Sequence, residues 1–328
     1  LSKLDLSGMT SLPPLLCESA PIENLNFSDT PNLTTLTCNN NYMLTSLNLS
    51  GLDKLETVSC YACSLSELNL DGCMSLKNLD CSENMELSTV NFPESLASLN
   101  CSGCAFAEVD ASKLPNVTDL HCNNNQITKL DLSAMEGLLA LDCGDNAITK
   151  LDFSHNKKIA DVVLKNNPIE TGITFKDAND LRYVSVDGTK LSVEALNELY
   201  MSLRQKREED DNNDLGGLLL FNNVENDLAK QSATKIATDK GWMVTVEGNG
   251  TTGIGKETEI NEPAITETAY GVEINGINGM AQAVTVYNID GKLTDIVPVK
   301  DHKASIEIQG RGTYIIAAKG MKAVKYRK

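Results

Sequence analysis

Apolar residues recur along the first part of the chain in two alternating patterns. One reads Leu-x-x-Leu-x-Cys-x-x-Asn, from Leu33 to Asn41, Leu76 to Asn84, Val117 to Asn125 and Leu138 to Asn146, with Leu55 to Cys63 and Leu96 to Cys104 as variants. Degenerate copies run Ile159 to Asn167 and Leu181 to Thr189. Between them lies a second half-repeat, such as Leu44-Thr-Ser-Leu47-Asn-Leu49-Ser50 or Ile127-Thr-Lys-Leu130-Asp-Leu132-Ser133, so the full period is about 21 residues. In x-Leu-x-Cys, alternate side chains point inward, which predicts a short strand stacked on the next at about 4.8 Å. A single repeat cannot bury its apolar face alone, so the pattern predicts a solenoid stabilised by neighbours. The closing Asn at 41, 84, 125, 146 and 167 is expected to turn inward and bond backbone groups of adjacent coils.

Ten cysteines raise the question of redox or metal chemistry. Seven of them, Cys17, Cys38, Cys60, Cys81, Cys101, Cys122 and Cys143, follow each other at gaps of 21, 22, 21, 20, 21 and 21 residues. Those gaps are the repeat itself, which makes the seven a vertical ladder in the core, packing as small apolar side chains. Leu164 and Val186 take over the position afterwards. Cys60-x-x-Cys63 and Cys101-x-x-Cys104 look like zinc half-sites, but they lie two coils apart, roughly 10 Å by strand spacing. One tetrahedral ion cannot bridge that gap. Neighbouring rungs are near enough for disulfides, yet parallel, in-register side chains fit the required dihedral poorly. The expectation is mostly reduced, buried thiols and no metal or cofactor. Cys73 falls outside both the ladder and the Asn column, and its exposure is left open.

The combination resembles the cysteine-ladder leucine-rich repeats of bacterial surface proteins, the internalin J-like kind. The matching stretch is Leu-x-x-Leu-x-Cys-x-x-Asn-x-Leu-Thr-x-Leu-Asp-Leu-Ser, best seen across 117–133 and 138–154, and the likeness covers residues 1–190. It implies an interaction surface, usually for host or neighbour-cell ligands. Because Leu1 opens inside a repeat, the natural N-terminus is expected to lie upstream.

After Leu191 the spacing changes. Ser192 is an N-cap candidate, and Leu196, Leu199, Tyr200 and Leu203 recur at helical spacing. An acidic loop (208–214), a strand Leu218–Phe221, a helix around Asp227–Asp239 stopped by Gly241, and a strand from Trp242 to Val246 follow. Residues 191–247 are read as an α/β cap with Trp242 in its core. Residues 248–263 are polar and glycine-rich, which marks a linker. Short alternating runs from 264 to 328, with Asp290-Gly291 as a hairpin turn, predict a small all-β sandwich. The fold class is therefore a β-rich leucine-rich-repeat solenoid with few helices, an α/β C-terminal cap and a small sandwich.

Val286-Tyr-Asn-Ile-Asp-Gly-Lys292, Gly312-Thr-Tyr-Ile-Ile316 and the Lys-rich end resemble the C-terminal sorting domain of Bacteroidetes type IX secretion. That resemblance implies export and an extracellular or outer-membrane surface location. The usual Asn-Pro segment is missing, with Tyr270-Gly-Val-Glu-Ile274 in its place, and a generic β-domain without an export role is the alternative.

The formal net charge of -17 is uneven. Residues 264–328 carry 9 positive and 6 negative groups, net +3, and the rest carries 19 and 39, net -20. An acidic body repels phosphate, so nucleic acid is not an expected partner. No apolar run reaches the roughly 18 residues of a membrane helix. None of the three histidines (His121, His155, His302) sits in a hydrolase or metal motif, and no enzyme activity is expected. The column Asp5, Asn26, Asn48, Asn69, Asn91, Asp110, Asp131 and Asp152 follows the repeat, so it reads as a solvated ladder, weak cation binding being left open.

The register also gives the exposed concave face. Its candidate ligand-binding residues are Tyr61, Asp80, Asn100, Asp119, His121, Asp142, Asp161 and Tyr183. The face is polar, faintly acidic and poor in the aromatics and arginines that dominate protein hot spots. A protein, peptide or glycan ligand of polar or basic character fits it. The functional expectation is a cell-surface or secreted recognition protein; the alternative is a structural or assembly component of the envelope.

Overall fold

The computed structural model describes residues 4–212, 217–222 and 228–246, and seven strand segments between 264 and 327. The chain divides into two compact units, Leu1–Arg204 with Phe221–Ala233, and Gln205–Leu220 with Thr234–Lys328.

In the first unit a parallel sheet is built from three-residue strands, one per coil. They are β1 (Pro14–Leu16), β2 (Thr35–Thr37), β4 (Thr57–Ser59), β6 (Asn78–Asp80), β7 (Ser98–Asn100), β8 (Asp119–His121), β9 (Ala140–Asp142), β10 (Asp161–Val163) and β11 (Tyr183–Ser185), stacked in that order. Each inner residue pairs with the next in register, Leu79 with Leu99, then Leu120 with Leu141, and all are buried. Two outer strands, β3 (Ser46–Asn48) and β5 (Glu67–Asn69), form a second, two-stranded parallel sheet on the opposite side of the coils.

The cysteine ladder follows each strand. Cys38, Cys60, Cys81, Cys101, Cys122 and Cys143 are fully buried, and Leu164 and Val186 continue the column. Cys17 is half-buried because β1 is the first strand of the sheet and covers it with a rung on one side. Two residues after each rung the chain turns through left-handed backbone, at Ser19, Asn40, Ala62, Glu83, Gly103, Asn124, Asp145, Asn166 and Gly188. This turn is what lets the following side chain face inward.

Where that side chain is Asn, its amide ties two coils together as expected. Asn41 Nδ2 donates to the carbonyls of Cys17 and Cys38, both at 2.7 Å, and Asn125, Asn146 and Asn167 repeat the arrangement. The amide oxygens accept backbone N–H groups, such as Ile127 and Ile148 at 2.9 Å. Cys63 and Cys104 stand in the same column and aim their S–H at the Cys38 and Cys81 carbonyls, at 3.2 and 3.3 Å. Cys73 proves to be buried in a second corner, on the outer half of the coil, where its S–H meets the Leu49 carbonyl at 3.2 Å. Asn156 holds the equivalent position and donates to the Leu132 and Met135 carbonyls.

Helix α1 (Val193–Ser202) starts at Ser192, whose side chain accepts the Ala195 N–H at 3.2 Å. It buries Ala195, Leu196, Leu199 and Tyr200, the spacing the sequence shows. The expected helix around Asp227–Asp239 is instead two short helices, α2 (Leu228–Gln231) and α3 (Lys235–Asp239). In the first unit the reason is visible: the Asn197 side chain takes the Ala233 N–H at 2.7 Å, which withdraws it from a helical ladder. Asp227 and Asp214 lie outside the described residues, and 208–212 form a 3-10 turn.

In the second unit Trp242, in the strand Trp242–Thr245, is buried. Seven antiparallel strands follow between 264 and 327, paired as one group of three and one of four. Alternate residues Val284, Val286 and Ile316 are buried in the larger group and Ala304 and Ile306 in the smaller. The linker 248–263, the Asp290-Gly291 turn, Gly312, Lys322 and His302 lie outside the described residues.

Candidate concave-face binding site

The stacking places one outward side chain per strand at each column. Asp80, Asn100, His121 and Asp142 stand directly opposite one another on four successive strands. Asp119 and Asp161 flank them in the parallel column, two strands apart across Ala140. These six residues therefore come together over five strands, β6 to β10, a width of roughly 20 Å by strand spacing. Tyr61 lies a coil earlier and is 39% exposed, while Tyr183 lies on β11, one strand beyond β10.

Most of these groups are held by hydrogen bonds. Asp80 Oδ1 accepts the Ser82 N–H at 3.0 Å and the Ser82 hydroxyl at 2.5 Å. Asn100 Oδ1 binds Ser102 in the same way, and Asn100 Nδ2 reaches back to the Ser82 hydroxyl at 3.3 Å. Asn39 Oδ1 accepts the Tyr61 N–H at 2.9 Å and the Ser59 hydroxyl at 2.7 Å. Asp119 accepts the Thr118 hydroxyl at 2.6 Å. Side chains fixed this way lose little further freedom when a ligand arrives.

Two of the expected exposed residues are covered. Asp142 is 5% exposed, with Oδ1 accepting the Gly144 N–H at 3.0 Å. The reason lies one coil on: the Lys165 side chain lies across Gly144, where a Cβ would meet Lys165 Cγ at 2.7 Å. Tyr183 is 7% exposed because Phe221 returns onto its ring, with centroids 5.5 Å apart. Asp161 is half-exposed but pairs at two points with Arg182, at 3.0 and 2.9 Å. His121 is exposed. Arg182 is one residue short of the strand and escapes a reading by columns, although its 21-residue offset from Asp161 is the repeat. Leu16, 69% exposed, occupies the same column as Asp80, two coils ahead of Ser59, and gives the face an apolar start.

The outer Asp/Asn column is a row of tight turns. Asp131 Oδ1 accepts the Ser133 N–H at 3.0 Å and Asp152 the Ser154 N–H at 2.9 Å; Asn26, Asn48 and Asn69 do likewise. Ser133 and Ser154 hold the two carboxyls below the usual range, backbone N–H first and hydroxyl second.

All ten thiols are free. Burial pushes the half-buried Cys17 up to about 11, with Cys73 and Cys104 also at about 11, and drives the fully buried rungs well above the ordinary thiol value. Cys63 is the exception. The Cys38 thiol and the Asn41 N–H point at its sulfur and lower it, while Cys38 is raised by that same contact and by burial. Among the described residues no three His, Cys, Asp or Glu side chains are placed to hold a metal ion. No helix among them is long and apolar enough to cross a membrane.

No protein-family model and no curated protein sequence matches the chain. Its fold is similar to that of the functional domain of InlJ from Listeria monocytogenes, which includes a cysteine ladder. The TM-score is 0.56 at 20% identity, over 99% of this chain and 82% of that one. The chain folds as a leucine-rich-repeat solenoid. An internalin (inlF) from Listeria monocytogenes str. 4b F2365 aligns over 74% of this chain and 88% of its own, at 17% identity and a TM-score of 0.40. The APL1 leucine-rich repeat domain aligns over 54% and 60%, at 18% identity and 0.38.

Proposed function

We propose that this protein is a non-enzymatic recognition protein, secreted or displayed at the cell surface, whose leucine-rich-repeat concave face binds a protein, peptide or glycan ligand. The observation that carries this is the block of polar side chains on β6 to β10, in register and held by their neighbours. Such a face offers oriented acceptors with little apolar anchor area, which suits a polar or basic ligand more than an apolar one. Residues 191–247 act as the cap of the solenoid and 264–328 as a separate small sandwich in this reading. The surface location rests on the sorting-domain resemblance.

One observation favours a structural envelope role instead: several concave polar groups also serve the fold, since Asp80, Asn100 and Asp142 each close a turn on the residue two ahead. Binding to immobilised arrays of glycans, peptides and secreted proteins separates the two. Asp119→Ala and His121→Ala, at half-exposed and exposed positions, are expected to weaken a concave-face interaction with the fold intact. Binding unchanged in both variants overturns the assignment of this face.

A further inference from the structure

The coil that carries Cys81 is shorter than its neighbours, and the deficit lies in its outer half. Leu96 follows Leu87 by nine positions, whereas Leu76 follows Leu65 and Val117 follows Phe106 by eleven. The absent pair corresponds to Ser50-Gly51 and Asp71-Gly72, so Pro93 follows Phe92 directly at the corner. Leu52, Cys73, Leu114 and Met135 are buried at that corner, but Pro93 is half-buried. Proline also lacks the N–H that Asn91 would need for the turn its column makes elsewhere.

The outcome is a notch in the outer wall. Two adjoining cavities of about 370 and about 280 Å³ share Phe92 and Lys113. Their floor is apolar: half-exposed Phe92 leans on buried Phe106, ring centroids 5.7 Å apart, with Val109 beside it. Their rim is acidic, with Glu94, Glu108 and Asp110. Lys113, the lining cation, is spoken for by Asp110 at 2.9 Å, which leaves Glu94 and Glu108 without a cation among the lining residues.

We propose that this notch is a second docking site, distinct from the concave face, for a basic peptide segment that lays one apolar side chain on the Phe92–Phe106 pair and sets Lys or Arg against Glu94 and Glu108. At about 370 and about 280 Å³ the cavities lie at the lower end of the roughly 300–1,000 Å³ of ligand pockets, a size that suits one or two side chains. An aromatic floor supplies anchor area at low entropic cost, and the carboxylates supply orientation and reject acidic competitors. Ser112 and Lys113 hold the Asp110 carboxyl at the rim below the usual range.

Random dodecapeptides displayed on phage, selected against the full chain, test this. The expected consensus is an apolar residue flanked by Lys or Arg. Its binding should fall by about tenfold or more in the Glu94→Lys/Glu108→Lys variant. The same peptides should bind Asp119→Ala unchanged, which keeps this test separate from that of the concave face. Charge reversal at two exposed positions leaves the fold intact, checked by circular dichroism. An acidic or uncharged consensus, no enrichment, or full binding to the charge-reversed variant overturns the proposal. A dimer in sedimentation that dissociates in that variant would overturn it too, giving the notch to a second copy of the chain.

Discussion

Asn84 donates through Nδ2 to the carbonyl of Cys60 one coil back, at 3.0 Å, and to that of Cys81 in its own coil, at 2.9 Å. Its Oδ1 takes the Leu65 N–H at 2.9 Å. One buried amide thus closes three backbone groups that water cannot reach. Asn84→Ala is expected to destabilise the protein by about 3 kcal/mol, since an unpaired buried polar group costs roughly 1–3 kcal/mol. Urea unfolding measures it; a loss below about 1 kcal/mol would show that the coil relaxes around the gap.

Cys63 fills the same column with one weak donor in place of an amide. Cys63→Asn should therefore stabilise the protein by about 1 kcal/mol, the net worth of one added hydrogen bond. The urea midpoint is expected to rise. A lower midpoint would mean that the Cys38 and Asn41 contacts to the Cys63 sulfur outweigh the bridge.

The ladder makes the fold sensitive to alkali. Cys17 at the start of the ladder, and Cys73 and Cys104 outside it, ionise near 11 in the folded chain against an ordinary 9.0, and the deeper rungs higher still. Folded pKa values above the unfolded ones mean stability that is complete below pH 9 and falls as pH rises from 9 towards 11. Unfolding followed from pH 8 to 11 should show that loss. In native protein at pH 8, a thiol reagent should reach half-buried Cys17 before any other rung.

The outer turns act at the other end of the scale. Asp131 and Asp152 have folded pKa values below the ordinary carboxyl value of 3.8 because Ser133 and Ser154 hold the ionised form. Their contribution is present above the unfolded pKa and is lost as pH falls through the folded one. Carboxyl titration by NMR should place both midpoints below 3.8. Asp131→Asn should keep the turn, as Asn48 and Asn69 do, and remove its acid sensitivity.

Much of the fold was legible because a 21-residue period converts position along the chain into position around the coil. Every ladder cysteine, every Asn bridge and both concave columns follow from that arithmetic, and Leu164 and Val186 end the ladder where the residue types change. The N-cap at Ser192 and the burial of Leu196, Leu199 and Tyr200 follow equally from local spacing. Cys73 escaped because its corner is shared by Leu52, Leu114, Met135 and Asn156, a column without one residue type to mark it. The broken helix escaped because Asn197, far off in sequence, removes one N–H.

By itself, the sequence determined the coil: its period, its inward residues and the amides that lock one turn to the next, since each depends on neighbours at a constant offset. Only the tertiary structure decided which members of the concave face meet solvent. Asp142 is covered because Gly144 leaves room for Lys165, and Tyr183 because Phe221 returns from outside the repeat. It also turned two missing residues before Pro93 into a notch. Exposure belongs to the neighbours' lengths and rotamers as much as to the residue, and no period records those.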